Sequence, residues 1–114
     1  MKLSNNKILI TGGASGIGLG LTERFIQEDN TVIICGRRSE RLKEVTDKFP
    51  MVISKVCDLS IEAERIELYN WVSENHADLN VVVNNAGSYS LWAIEDTTSV
   101  RQCDYVNKGN GNGE

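Results

Sequence analysis

Residues 7–18 read KILITGGASGIG, and no other stretch limits the fold as tightly. Lys7–Thr11 is a β-branched apolar run, the composition of a buried strand. Gly12, Gly13, Gly16 and Gly18 follow within seven positions. Ile17, Leu21, Phe25 and Ile26 then recur at helical spacing, in a stretch that runs to Asp29. A strand that turns through glycines straight into a helix aims the helix N-terminus at the turn. The unpaired N–H groups and the positive dipole end there attract an anion such as a phosphate. Gly12 permits the tight turn. Gly16 lets backbone N–H groups approach a pyrophosphate with no Cβ in the way, and Gly18 lets the helix pack close to the strand.

The same alternation continues along the chain. Thr31–Cys35 (TVIIC) is a second strand, ended by Gly36. Ser39–Phe49 is a charged helix with Leu42, Val45 and Phe49 on one face, and it stops at Pro50, the only proline. Met51–Cys57 reads as the third strand. A helix follows over Ile61–His76, with Ser60 as its expected N-cap and Glu62 and Glu64 in its first turn. Leu79–Val83 is the fourth strand, Asn84–Gly87 a polar turn, and Thr98–Val106 a shorter helix. The last seven residues, KGNGNGE, have no apolar anchor.

The fold class that follows is α/β: a Rossmann-type three-layer α/β/α unit on a parallel sheet of strand order 3-2-1-4. Residues 1–106 form this unit and 107–114 a flexible tail. Parallel strands covered on both faces are continuously apolar. Ile8, Ile10, Val32, Ile34, Val56, Val81 and Val83 are therefore expected to be buried.

Four stretches, in order, match one family. The turn has the spacing TGxxxGIG (Thr11–Gly18), unlike the GxGxxG of the long dehydrogenases. The second strand ends in Cys35-Gly36-Arg37-Arg38, the third in Cys57-Asp58-Leu59, and the fourth in Asn84-Asn85-Ala86-Gly87. This set resembles the N-terminal, cofactor-binding half of the short-chain dehydrogenase/reductase family. The wording VIICGRR and CDLS is also similar to a bacterial subgroup of cytosolic oxidoreductases encoded with teichoic-acid D-alanylation genes. The resemblance implies a nicotinamide dinucleotide cofactor and an alcohol or carbonyl substrate. It assigns the cofactor to Gly12, Ser15, Gly16, Ile17, Gly18, Arg37, Asp58, Leu59, Asn85, Ala86 and Gly87. Asp58 would meet the adenine edge, with Leu59 beside it, and Asn84–Gly87 would line the crevice from the fourth strand.

An acidic residue about 20 positions past the turn would bind the ribose hydroxyls of NAD. Gly36 stands there, followed by Arg37 and Arg38. A guanidinium binds a 2′-phosphate that a carboxylate would repel, so NADP is preferred to NAD. Ser15 stands where one NADP-type pattern of the family has a basic residue.

The formal net charge of −4 excludes a broad basic footprint for nucleic acid or an anionic membrane. No apolar run is long enough to span a bilayer. Cys35, Cys57 and Cys103 are odd in number and form no CxxC or Cys/His pattern, so no metal site is expected. Reduced buried thiols place the chain in the cytoplasm.

The family reduces carbonyls with a serine, a tyrosine and a lysine four residues after the tyrosine. The residues four after Tyr69, Tyr89 and Tyr105 are Ser73, Ala93 and Gly109, so that pair is absent. Tyr105 and Lys108 stand three apart, too early in the chain to match. Asn107 falls where the family's catalytic asparagine sits, late in the helix after NNAG. The expected chain is thus a truncated one, inactive alone, with its fourth strand left as an open edge that invites self-association. A non-catalytic nucleotide-binding module and a non-functional fragment are the other readings.

Overall fold

In the computed structural model, residues 4–14 and 16–84 are described in full, together with the backbone of 101–103. Strand β1 is Lys7–Thr11, helix α1 Gly16–Gln27, β2 Thr31–Gly36, α2 Ser39–Lys48, β3 Ile53–Val56, α3 Glu62–Asn75, β4 Val81–Asn84 and β5 Arg101–Cys103. The strands form one sheet of order β3-β2-β1-β4-β5, parallel at every described pairing. The expected order 3-2-1-4 is therefore present, with one strand added outside β4.

Alternation along each strand divides the core in two. Ile8, Ile10, Val32, Ile34, Val81 and Val83 face α1 and α2, where Leu42, Val45, Leu21 and Phe25 meet them. Leu9, Ile33, Cys35 and Val82 face the other way, onto Leu68 and Val72 of α3. Both faces are covered, which explains why the inner strands are apolar at consecutive positions. The layers are α1 and α2, the sheet, then α3.

Three expectations are corrected. Val56 is 50% exposed. It ends the edge strand β3, whose residues alternate between half-buried and exposed, because an outer strand has a neighbour on one side only. Within the expected helix Thr98–Val106, Arg101–Cys103 instead form β5 and pair with Val81–Val83. Pairing there satisfies the backbone groups along β4, which a helix would leave unmatched. The edge of β4 is accordingly covered, and the basis for self-association through it is gone. Ser60 does not cap α3. Ile61 is the N-cap residue and makes no side-chain cap bond, while the Ser60 amide and hydroxyl donate to Asp58 Oδ1 at 3.0 and 2.6 Å.

Asparagines tie the opposite edge of the sheet. The Asn6 amide and Nδ2 donate to Asn30 Oδ1, at 3.0 and 3.1 Å. Asn80 Nδ2 donates to Asn6 Oδ1 at 2.9 Å, and the Lys7 amide to Asn80 Oδ1 at 2.8 Å. These bonds link the starts of β1, β2 and β4.

His76 is half-buried as the C-cap residue of α3. Its ring meets Trp71 edge-on at 4.8 Å, and Nδ1 is buried without a hydrogen-bond partner among the described residues. Burial, aided by the charge of Lys7 and opposed by Asp78, holds its pKa below the ordinary 6.5. The unfolded chain therefore takes up this proton first as pH falls. The neutral ring's contribution is complete above 6.5 and is lost on descent from there towards the depressed value. Asp58 and Asp78, whose pKa values lie below 3.8, lose their contributions only in stronger acid. The urea midpoint is expected to drop between about pH 7.5 and about pH 5.5, and to stay level in His76→Phe. The same slope in both proteins would acquit His76.

Candidate cofactor crevice

The ends of β1 to β4, Thr11, Gly36, Val56 and Asn84, lie along one edge of the sheet. The glycine turn leaves β1 at this edge. Gly12 has φ 69° and Gly16 φ 58°, left-handed values at which a side chain would be strained. The Gly12 amide donates to the Cys35 carbonyl at 2.9 Å, which carries the β1–β2 ladder one bond past Thr11 into the turn. An added Cβ at Gly16 would meet nothing within 4 Å, so open space lies beside the backbone where α1 begins. Helices α2 and α3 carry Glu40, and Glu62 and Glu64, in their first turns, but α1 has no acidic residue there. The positive end of α1 is thus not neutralised by its own first turn. Gly16 and Ile17 are exposed at this mouth and Gly18 is buried beneath it.

At the ends of β2 and β3 the charges alternate. Arg37 is exposed and makes no ion pair within 4 Å among the described residues. Asp58 follows β3 and is half-buried. Hydrogen bonds from the Ser60 hydroxyl and amide, then the charge of Arg37, keep its carboxyl below the usual range. Asp58 is therefore a carboxylate at neutral pH, held in an Asx turn with Arg37 nearby. Its own amide donates to Glu64 Oε1 at 2.7 Å. The Leu59 side chain is buried in the core, so what Leu59 offers a ligand is backbone.

On the β4 side, the Thr11 hydroxyl lies 3.4 Å from the Val83 carbonyl and 3.3 Å from Asn84 Oδ1. Asn84 is the last residue of β4, in register with Thr11, rather than the first of a turn. Thr11 and Asn84 thereby join the glycine turn's strand to the strand that leads to Asn85.

A family model for short chain dehydrogenase matches residues 6–112. The chain belongs to the short chain dehydrogenase family. It is similar to the Bacillus subtilis (strain 168) protein named uncharacterized oxidoreductase DltE, with 47% identity over 87 residues that cover 76% of this chain and 34% of that one. Pseudomonas aeruginosa RhlG, solved as an NADP active-site complex, superposes with TM-score 0.69 at 30% identity over 76% of this chain and 36% of that one. The 3-ketoacyl-(acyl-carrier-protein) reductase of Brucella melitensis, solved with NADH, superposes with TM-score 0.68 at 28% identity over 75% and 36%. The chain spans about a third of the length of these relatives.

Within this family frame, Gly12, Gly16, Ile17, Gly18, Arg37, Asp58 and Leu59 gather at one edge of the sheet, as the sequence implies. Ser15, Asn85, Ala86, Gly87 and Asn107 lie outside the described residues. Sequence reasoning passed over Gly13 and Thr22. A Cβ on Gly13 would come 2.5 Å from Ile34 Cγ2 and 3.1 Å from Thr22 Oγ1. The strand-to-helix contact is thus tight at Gly13 as well, a position the motif treats as variable. The buried thiols beneath the crevice are free. Burial pushes Cys57 up to about 11 and Cys35 up as well, so both remain protonated and unreactive at neutral pH. Among the described residues no cluster of three His, Cys, Asp or Glu is set to hold a metal, and no helix is long and apolar enough to cross a membrane.

Proposed function

We propose that the chain is the cofactor-holding half of an NADP-preferring oxidoreductase that acts on a small alcohol or carbonyl compound. The bound dinucleotide supplies or accepts the hydride. Gly12, Ser15, Gly16, Ile17 and Gly18 hold the pyrophosphate through backbone N–H groups at the positive end of α1. Arg37 pairs with the 2′-phosphate. Asp58 and the Leu59 backbone meet the adenine, and Asn85–Gly87 close the crevice from β4. Asn107 belongs to the proton-transfer side of the site. A net charge of −4 and free buried thiols suit a cytoplasmic protein with no nucleic-acid partner.

The observation that carries the cofactor preference is the exposed Arg37 directly after Gly36, where a carboxylate would select NAD. Family membership does not decide it, since relatives have been solved with NADP and with NADH. Arg37 is close enough to Asp58 for its charge to act on the carboxyl, yet the two form no ion pair within 4 Å, which supports a guanidinium open to a phosphate.

Titration of the chain with NADPH and with NADH is expected to favour NADPH by about tenfold or more, the factor that a charge-assisted hydrogen bond supplies. Arg37→Ala should bring the two affinities to within about threefold while leaving NADH binding level. Equal affinities in the unaltered chain would refute the NADP assignment.

A further inference from the structure

We infer that Thr22 is a positioning residue for the glycine turn, setting the direction of the Ala14 amide from inside the fold. The inference rests on the dinucleotide reading above and adds to it a residue outside the TGxxxGIG pattern.

Thr22 lies in α1 and is fully buried. Its hydroxyl sits 3.1 Å from the Gly13 carbonyl and 2.9 Å from the Gly18 carbonyl. One hydroxyl has one proton to donate. The Gly18 carbonyl is four residues back along the helix, where the Thr22 backbone amide is its regular partner. The Gly13 carbonyl stands outside the helix, and among the described residues its recorded donor is the Thr22 hydroxyl. The proton therefore matters most at Gly13.

The consequence follows from peptide planarity. In a trans peptide the C=O and the next N–H point in opposite directions. Holding the Gly13 carbonyl against Thr22 turns the Ala14 N–H away from α1, to the side of the turn where phosphates would sit. Ile34 stands on the same side of Gly13 as the hydroxyl: its Cγ2 lies 2.5 Å, and Thr22 Oγ1 3.1 Å, from where a Cβ would stand. Gly13 is thus packed closely against both Ile34 and the Thr22 hydroxyl, which leaves its peptide little freedom to turn. Without the hydroxyl, the buried carbonyl gains by rotating towards water, and the Ala14 amide rotates inward with it.

The test uses the 15N-labelled chain and compares Thr22→Val, which keeps the shape and removes the hydroxyl, with Thr22→Ser, which keeps the hydroxyl. Each is titrated with NADPH and with adenosine 2′-monophosphate, a probe that lacks the pyrophosphate and reaches only the Arg37 and Asp58 side. Thr22→Val is expected to weaken NADPH by about tenfold or more and to leave adenosine 2′-monophosphate within about twofold. Thr22→Ser should retain NADPH to within about threefold. Unchanged NADPH affinity in Thr22→Val overturns the inference, and so does an equal loss for both ligands. A Thr22→Val chain without dispersed amide signals overturns it too, because the hydroxyl then serves the core and not the turn. If the unaltered chain binds adenosine 2′-monophosphate or NADPH at no concentration, the dinucleotide reading itself fails, and the inference with it.

Discussion

Gly13→Ala is expected to cost the fold about 1–3 kcal/mol, whereas Gly20→Ala, seven residues along, should stabilise it by about 0.5–1 kcal/mol. The two glycines differ in what a methyl group would meet. At Gly13 the new Cβ would lie 2.5 Å from Ile34 Cγ2 and 2.9 Å from Ile34 Cβ, with Thr22 Oγ1 at 3.1 Å. The Ile34 atoms belong to a fully buried strand residue whose branched side chain has no free rotamer to adopt. The strain must pass into the turn or the sheet. At Gly20 nothing lies within 4 Å, and the residue is exposed in the middle of α1, where glycine is a poor helix former. A stability margin of about 0.05–0.15 kcal/mol per residue makes the Gly13 effect a large share of the whole. Urea unfolding reads both: a lower midpoint for Gly13→Ala and a higher one for Gly20→Ala, with unchanged slopes. Equal midpoints for Gly13→Ala and the parent would mean that the turn and Ile34 yield freely.

Where a strand is covered on both faces, its residues alone announced it. Lys7–Thr11 is found as read, and β2 gains only Gly36 beyond Thr31–Cys35. The failures lie where cover is missing or local chemistry competes. Met51–Cys57 shortened to Ile53–Val56, and Val56 surfaced, because apolar content does not say which strand will be outermost. Ser60 had the right type and place for an N-cap, yet Asp58 two residues earlier took its hydroxyl at 2.6 Å. Such Asx turns compete with capping and depend on backbone angles that residue types leave open. Arg101–Cys103 became a strand because β4 offered a row of backbone partners, a tertiary influence that helical periodicity cannot register.

The site was legible in a different way. Gly12 and Gly16 carry positive φ, and a glycine pattern signals that need directly. Arg37 was read from its distance past the glycine turn and Asp58 from the family resemblance, and the parallel sheet brings the ends of β2 and β3, which they follow, to one edge. Gly13 and Thr22 were not found. Nine residues separate them, and one hydrogen bond of 3.1 Å makes them a unit. The one available hint was a threonine inside an otherwise apolar helical face, since a buried hydroxyl must find an acceptor. Asn84 was misplaced by one element for a related reason. Its side chain contacts Thr11 at 3.3 Å, so it serves the sheet rather than the turn.

The 114-residue polypeptide is expected to bind NADPH without oxidising it. Placing a hydride donor is one requirement of carbonyl reduction, and a proton for the substrate oxygen is the other. A general acid must stand within about 3 Å of that oxygen with a suitable pKa, and its absence alone removes about 10²–10⁴-fold in rate. The tyrosine–lysine pair that the resemblance implies for this role has no counterpart here, since Ser73, Ala93 and Gly109 stand four residues after the three tyrosines. The thiols do not replace it. Cys35 is buried, and Cys57, with a pKa near 11 and its sulfur 3.5 Å from the Glu64 carbonyl, also faces the core. Asp58 is held ionised by Ser60 and Arg37 and has no proton to give at neutral pH. The expected rate with a panel of aldehydes and ketones is at least about 10²-fold below the ~10 per second of a typical enzyme. Loss of NADPH absorbance measures it directly. Sustained turnover that vanishes in Tyr105→Phe or Lys108→Met would overturn the expectation. It would make the pair spaced by three, Tyr105 and Lys108, the working acid and its modulator in place of the family's pair spaced by four.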